Sequence, residues 1–382
     1  MDGHRPGARR RRLPALRRRA KNVPDTQGRE VDVLIIGGGQ AGSAAGFYLR
    51  RAGIDFTILD DQDQPGGAWR HAWPSLRLFS PSQYSSLPGR MMPAPADGGY
   101  PTASGTVAYL TDYQRRYDLP MVRPVHVDAV HRADGGLLVR TGTGDWHAKI
   151  VISATGTWSR PYIPYYPGIG EFAGRQLHTA HYTGPEPFTG QRVVIVGGGN
   201  SAAQLLAEIS TVAETTWVTS RPPKLLPDDI DGKALFDLAT RRYQALTSGQ
   251  EHAGVGGLGD IVAVPPIREA RERGVLKAEP MFARITPVGV AWPDDTHLAC
   301  DTIVWCTGFR PDLGHLTPLR LRTRDGLIPT QGTRAVAEPR LHLLGYGDWT
   351  GPASATLIGV GRTARDAVTQ ITAQLQTSQP PR

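Results

Sequence analysis

Cysteine is nearly absent. The chain has two, Cys300 and Cys306, too few for a disulfide framework, and the five residues between them do not make a redox C-x-x-C pair. Long apolar runs are also missing. None approaches the roughly 20 residues of a membrane-spanning helix, and the N-terminus has no apolar stretch of the secretory kind. The His, Cys and carboxylate residues show no metal-ligand spacing. No Ser-His-Asp or Cys-His pattern marks a side-chain nucleophile. These absences lead to the expectation of a cytoplasmic protein with reduced thiols and no membrane partner.

An excess of charge of either sign is missing from the body of the chain. The 382 residues carry a formal charge of +8. Ten of the 43 Lys/Arg and two of the 35 Asp/Glu lie in residues 1–29, which accounts for the whole excess. The remainder is neutral, so nucleic-acid binding is not expected of it. Residues 1–29 have few apolar groups to pack and read as a disordered basic arm. The arm is a solvated extension, the product of an upstream start codon, or a contact for nucleic acid or anionic lipid. Oligomeric state is open between a monomer and a homodimer.

What is present is a repeated unit. Residues 31–36 (Val-Asp-Val-Leu-Ile-Ile) form a nearly continuous apolar run, which suits a buried parallel strand. Gly37-Gly-Gly-Gln-Ala-Gly42 follows directly. Residues 43–52, rich in Ala and Leu, read as a helix ending at Gly53. Residues 55–59 read as a second strand, closed by Asp60. The same order recurs at 192–196 (strand), Gly197-Gly-Gly-Asn-Ser-Ala202 (turn), 203–209 (helix) and 214–219 (strand). Two such units imply two nucleotide-binding domains. The expected fold class is α/β with two Rossmann-like domains, the second inserted into the first. The expected boundaries are a first part at 30–157, the inserted domain at 158–299, and a second part at 300–382.

In the first unit Gly37, Gly39 and Gly42 fit G-x-G-x-x-G. The first allows a tight turn, the second lets backbone approach a pyrophosphate, and the third lets helix pack on strand. The helix start, with Gln40, presents unpaired N–H groups to phosphate. Asp60 can accept hydrogen bonds from both hydroxyls of an adenosine ribose. In the second unit Gly197 and Gly199 are kept, and Ala202 replaces the third glycine, a variant seen where NADP(H) is bound. Ser201, in the turn, is a further candidate contact for the coenzyme. The second strand ends in Thr219-Ser220-Arg221, with no acid. A carboxylate there would repel a 2′-phosphate, whereas Arg221 can pair with it bidentately and Ser220 can add a hydrogen bond. This unit is therefore expected to prefer NADPH to NADH.

Further motifs carry a resemblance. Gly66-Gly67-Ala68-Trp69 resembles the G-G-x-W of class B flavoprotein monooxygenases. Ala154-Thr155-Gly156 resembles their linker motif. Phe172, Gly174, His178 and Tyr182 fit F-x-G-x-x-x-H-x-x-x-[F/Y]. Residues 30 to 375 are similar to this family, in its heteroatom-oxidising flavin-containing branch. The segments 76–89 and 343–349 look most like the compact bacterial enzymes encoded beside arsenic-resistance genes. The resemblance implies FAD held by Asp60, Gly67, Trp69, Val127 (backbone, near adenine), Thr155, Gly156 and Asp348. It also sets a helix start near Ala355 against the flavin.

The resemblance further implies NADPH in the second unit and a flavin hydroperoxide that oxygenates a soft nucleophile (sulfur, nitrogen or trivalent arsenic) of a small molecule. Ser80 stands where the family usually has a peroxide-steadying Asn. Ser80 and Asn200 are the candidate catalytic polar groups. The alternatives are an NADPH-dependent reductase passing electrons to a quinone or protein acceptor, and a non-catalytic redox sensor with a DNA-binding arm. His178 is expected to brace the linker. Asp228, Asp229 and Asp231 read as a solvated acidic loop, and Gly254 to Gly259 as part of a movable substrate loop at 225–270.

Overall fold

In a computed structural model, the described residues are 29–228 and 261–377. Residues 1–28 of the basic arm, Asp229, Asp231 and the Gly254–Gly259 stretch lie outside them; Arg29, expected to end the arm, instead opens the first strand, paired with Trp146.

The chain begins as expected. Strand β1 (Arg29–Ile36) leads through the glycine turn into α1 (Gln40–Ala52). Gly53, in left-handed backbone, ends the helix by donating its N–H to Leu49 and Arg50 carbonyls. Strand β2 is Phe56–Leu59, α2 is Ala103–Arg116, and β3 is Met121–Val122. The Thr102 hydroxyl caps α2 by accepting from the Gly105 amide at 3.0 Å. A hairpin of β4 (Val127–Ala133) and β5 (Gly136–Thr141) precedes β6 (Trp146–Ser153). β1 pairs in parallel with β2 and β6. The apolar residues of β1 are buried because α1 covers one face and the hairpin side covers the other. Val33 and Ile35 join one core with α1, while Leu34 and Ile36 join another with Val130, Leu137 and Val139.

The second domain holds β7 (Arg175–His178), β8 (Arg192–Val196), α3 (Asn200–Ile209) and β9 (Glu214–Thr219). After a helix at Pro265–Glu272 come β10 (Ala278–Pro280), then β11 (Arg284–Thr286), β12 (Gly289–Ala291) and β13 (His297–Ala299), and finally β14 (Thr302–Trp305). The sheet order is β10-β9-β8-β14-β7, all parallel. β11 to β13 form a small antiparallel sheet.

The expected boundary at 299/300 needs correction. β14 pairs with β7 and β8, so the chain stays in the second domain through Trp305. A short, wholly apolar strand has the same pattern in either sheet, and only pairing assigns it.

The chain then returns to the first sheet with β15 (Thr330–Gln331), β16 (Arg334–Ala335) and β17 (Leu341–Leu343). β17 lies parallel to β6. The last helix, Leu357–Thr377, packs Val360, Ala364 and Val368 into the same core as Ala44 and Ala45 of α1. It starts two residues beyond Ala355. No helix among the described residues is long and apolar enough to cross a membrane.

Candidate active site

Parallel strands β1 and β6 leave the first sheet at the same edge. There β1 turns at Gly37, which has φ 107. A Cβ at Gly37 would sit 2.5 Å from the Ala154 carbonyl oxygen, so any side chain would force the strand ends apart. The second domain repeats the device. Gly197 has φ 134, and a Cβ there would strike the carbonyl of Cys306, just after β14. Each domain thus brings a glycine turn, a helix start and the end of a crossing strand to one point.

At the first of these points lies a cavity of about 580 Å³. Most of the residues expected to hold FAD line it. Gly37, Gly39 and Gln40 come from the turn, and Asp60 from the end of β2. Val127 begins β4, while Thr155 and Gly156 follow β6. Gly67 and Trp69 lie in the short 3₁₀ turn Gly67–His71, and Ala355 precedes the last helix. Gly42 packs beneath the carbonyl of Gly37 rather than facing the cavity. Asp348 is exposed and outside the lining, where Gly345 stands instead. Left-handed backbone at Gly345 and Gly347 turns the chain between them.

Asp60 is only 3% exposed. Arg123 Nε donates to its Oδ2 at 2.6 Å, which offsets the cost of burying the carboxylate. Arg123 also donates to Gln114 Oε1 at 2.9 Å. The Gln114 amide in turn donates to the Gly38 carbonyl at 2.8 Å and to Ser43 Oγ at 3.0 Å. One network therefore joins the acid, the glycine turn and α2. Sequence reasoning missed Arg123 and Gln114. Arg123 is 63 positions from Asp60, and no spacing rule links them.

Other groups brace the cavity. Trp69 Nε1 donates to Gln40 Oε1 at 3.0 Å, and Gln40 Nε2 donates to the Ala355 carbonyl at 2.7 Å. The buried Tyr346 hydroxyl lies 2.7 Å from Ser153 Oγ and 2.8 Å from Thr155 Oγ1. His315 Nε2 is 3.0 Å from Ser153 Oγ, and burial pulls its pKa down to about 4, so the ring is neutral at pH 7. Tyr346 belonged to a recognised segment, but only packing reveals its role at the end of β6. Trp158 and Phe309 stack at 5.0 Å on the cavity wall, and His71 stacks on Trp158 at 6.4 Å.

His178 accepts from the Ala180 amide at Nδ1 (3.1 Å), so Nε2 donates to the Gly308 carbonyl at 2.9 Å. Both ring nitrogens are committed to backbone, and burial lowers the pKa. This is a brace between two linker segments.

The expected catalytic pair lies apart from the cavity lining. Ser80 Oγ sits 2.8 Å from Ser85 Oγ. Asn200 opens α3, and its Oδ1 accepts from the Val262 amide at 2.9 Å. Beside it, Ser201 is half-buried and Ala202 fully buried. Ser220 and Arg221 follow β9 and are exposed. Asp228 is ion-paired with Arg271 at 2.6 Å. Cys300 and Cys306 flank opposite ends of β14, and burial pushes their thiols up to about 11 and about 12. Neither is a ready thiolate.

Residues 34–255 match the family model described as pyridine nucleotide-disulphide oxidoreductase. The chain belongs to this family. A solved flavin-containing monooxygenase from Stenotrophomonas maltophilia is 51% identical, with a TM-score of 0.84 over 91% of this chain and 99% of that one. An uncharacterized CzcO-like oxidoreductase of Geobacillus kaustophilus (strain HTA426) is 30% identical over 89% of this chain and 98% of that protein. The indole-3-pyruvate monooxygenase YUCCA1 of Oryza sativa subsp. japonica is 26% identical over 85% and 86%.

The chain is thus an enzyme of the class B flavin-containing monooxygenase type, a flavin-dependent oxidoreductase of a family that uses FAD and NADPH. The first cavity fits FAD on its own chemistry. Side-chain-free glycine backbone faces it, and a buried carboxylate projects into it beside a helix start.

Proposed function

We propose that the protein is an NADPH-dependent FAD monooxygenase that oxygenates a soft nucleophile, sulfur, nitrogen or trivalent arsenic, in a small molecule. The observation that carries this reading is the pairing of two unlike nucleotide sites. One ends in the buried Asp60, the other in the exposed Ser220-Arg221 with no acid. The oxygen-activating chemistry is that of FAD reduced by NADPH. One atom of O2 enters the substrate and the other leaves as water. NADPH supplies a hydride and solvent a proton.

The side chains bind and orient. Asp60 receives the FAD ribose with the oxygen that Arg123 leaves free. Gln40 and Trp69 hold one wall of the cavity in place through their mutual hydrogen bond. Thr155, pinned by Tyr346, keeps the end of β6 against the glycine turn. The stacked Trp158 and Phe309 keep water from one wall, which favours productive use of activated oxygen. Arg221 takes the 2′-phosphate of NADPH as a charge-assisted pair. No side chain need act as a nucleophile.

A reductase that returns electrons to oxygen or a quinone is the second reading. The engagement of Ser80 with Ser85 favours it, because that hydroxyl already has a partner and lies outside the cavity lining. Turnover with NADPH, isotopically labelled O2 and a panel of aryl sulfides, amines and trivalent organoarsenicals separates the two. Label in the product supports the monooxygenase. Stoichiometric hydrogen peroxide with no labelled product across the panel overturns it in favour of the reductase.

A further inference from the structure

Glu208 lies near the end of α3, away from the glycine turn at its start. Its two carboxylate oxygens hold two different segments. Oε1 accepts from Ser75 Oγ at 2.7 Å, and Oε2 accepts from the Tyr182 hydroxyl at 2.9 Å. Ser75 belongs to the loop that follows the cavity turn of the first domain. Tyr182 belongs to the linker that leads into the second domain. One side chain of the nucleotide helix therefore fastens three separate pieces of chain.

The packing around this carboxylate follows the same course. Tyr182 is 2% exposed, and Trp73 meets its ring edge-on at 6.0 Å. Trp73, Leu76 and Phe79 come from the first domain's loop, yet they pack into the core of the second domain with Leu205, Leu206 and Ile209 of α3. Leu76 also lines the FAD cavity. The loop is thus held on one side by the helix that carries the second nucleotide motif and forms cavity wall on the other.

We infer that Glu208 is a positioning residue, which sets the second domain, and the NADPH it binds, against the flavin cavity through Ser75 and Tyr182. It touches no reacting atom. Its place at the far end of α3 lets it act on domain orientation without altering the dinucleotide contacts of Gly197, Gly199 and Arg221. A misplacement of about 1 Å between reacting groups costs up to about a hundredfold in rate, whereas the same shift leaves a separately held dinucleotide bound. The inference rests on the proposed use of NADPH and FAD.

The test is anaerobic reduction of the FAD-loaded protein by NADPH, followed by flavin bleaching, with reduction by dithionite as a parallel measurement. Glu208→Ala is expected to lower the limiting NADPH reduction rate roughly ten- to a hundredfold. The NADPH concentration dependence and the dithionite rate should stay as in the parent. Glu208→Gln, which can still bond both hydroxyls, should recover much of the rate. Ser75→Ala and Tyr182→Phe remove one contact each and should give intermediate losses; they also serve if Glu208→Ala fails to fold. Parent-like reduction rates in the single-contact variants and Glu208→Ala overturn the inference. An equal fall in dithionite reduction or in flavin content also overturns it, since the residue would then be merely structural. If the parent itself is not reduced by NADPH, the proposed function fails instead.

Discussion

The two nucleotide units of this chain start alike and end differently. Both press a left-handed glycine against the carbonyl of a neighbouring strand end, Gly37 on Ala154 and Gly197 on Cys306. Both place a glycine at the helix cap, Gly39 and Gly199. The difference lies at the end of the second strand. Asp60 is buried and tied to Arg123, which in turn holds Gln114. Arg221 is exposed, and among the described residues it has no ion pair. The helix contacts differ too. A Cβ at Gly42 would strike the Gly37 carbonyl, whereas Ala202 has a Cβ and is fully buried. A built, buried site suits a cofactor that stays. An open, solvated site suits one that comes and goes.

The strongest way to break this comparison is at Asp60. Asp60→Ala should purify without flavin, and it leaves the half-buried Arg123 without its carboxylate, at a cost of about 1–3 kcal/mol in stability. Full flavin absorbance in the purified variant refutes the assignment. Arg221→Ala acts on binding alone. Loss of a charge-assisted phosphate pair, about 1.5–3 kcal/mol, should raise KM for NADPH about ten- to a hundredfold, with little change for NADH. Equal effects on both coenzymes mean that Arg221 does not read the phosphate.

Acid should act on the first domain through two buried histidines. Burial pulls His315 and His342 down to about 4. Between about pH 6.5 and 4 the unfolded chain binds protons that the folded chain refuses. Stability is therefore complete above about pH 6.5 and falls as pH drops toward 4, at up to about 1.4 kcal/mol per pH unit for each ring. Thermal unfolding measured across this range should show the fall, and a His342→Leu variant should show a shallower one. An unchanged slope in the variant sinks this account of His342. The smallest effect is expected at the thiols. Cys300→Ala with Cys306→Ala should keep NADPH-dependent flavin reduction, at a stability cost of about 1–2 kcal/mol, because burial keeps both thiols protonated. Loss of reduction with the fold intact would show that a thiol takes part in electron transfer.

Much of the fold was legible because its signals are local. A continuous apolar run, three glycines and an alanine-rich helix within 25 residues specify strand, turn and helix by sterics and burial alone. The acid closing β2 follows from the same unit. The last helix begins at Leu357 rather than Ala355, where the Thr356 hydroxyl accepts from the Gly359 amide. Ser80 is a candidate by position alone. Its hydroxyl is paired with Ser85, a contact that depends on how the loop closes. Asp348 is likewise a candidate by position; it lies outside the cavity lining, three residues past Gly345.

The sequence by itself determined the two nucleotide units, their order and their contrasting ends, since each depends on residues a few positions apart. Only the tertiary structure decided that β14 joins the second sheet, that Arg123 secures Asp60 and that Tyr346 pins Thr155. It also decided that Glu208 ties α3 to Ser75 and Tyr182. These partners lie between 26 and 191 positions apart. Nothing in a linear pattern encodes which distant polar groups meet. The folded arrangement decides it, because a carboxylate or hydroxyl taken out of water without a partner costs about 1–3 kcal/mol or more.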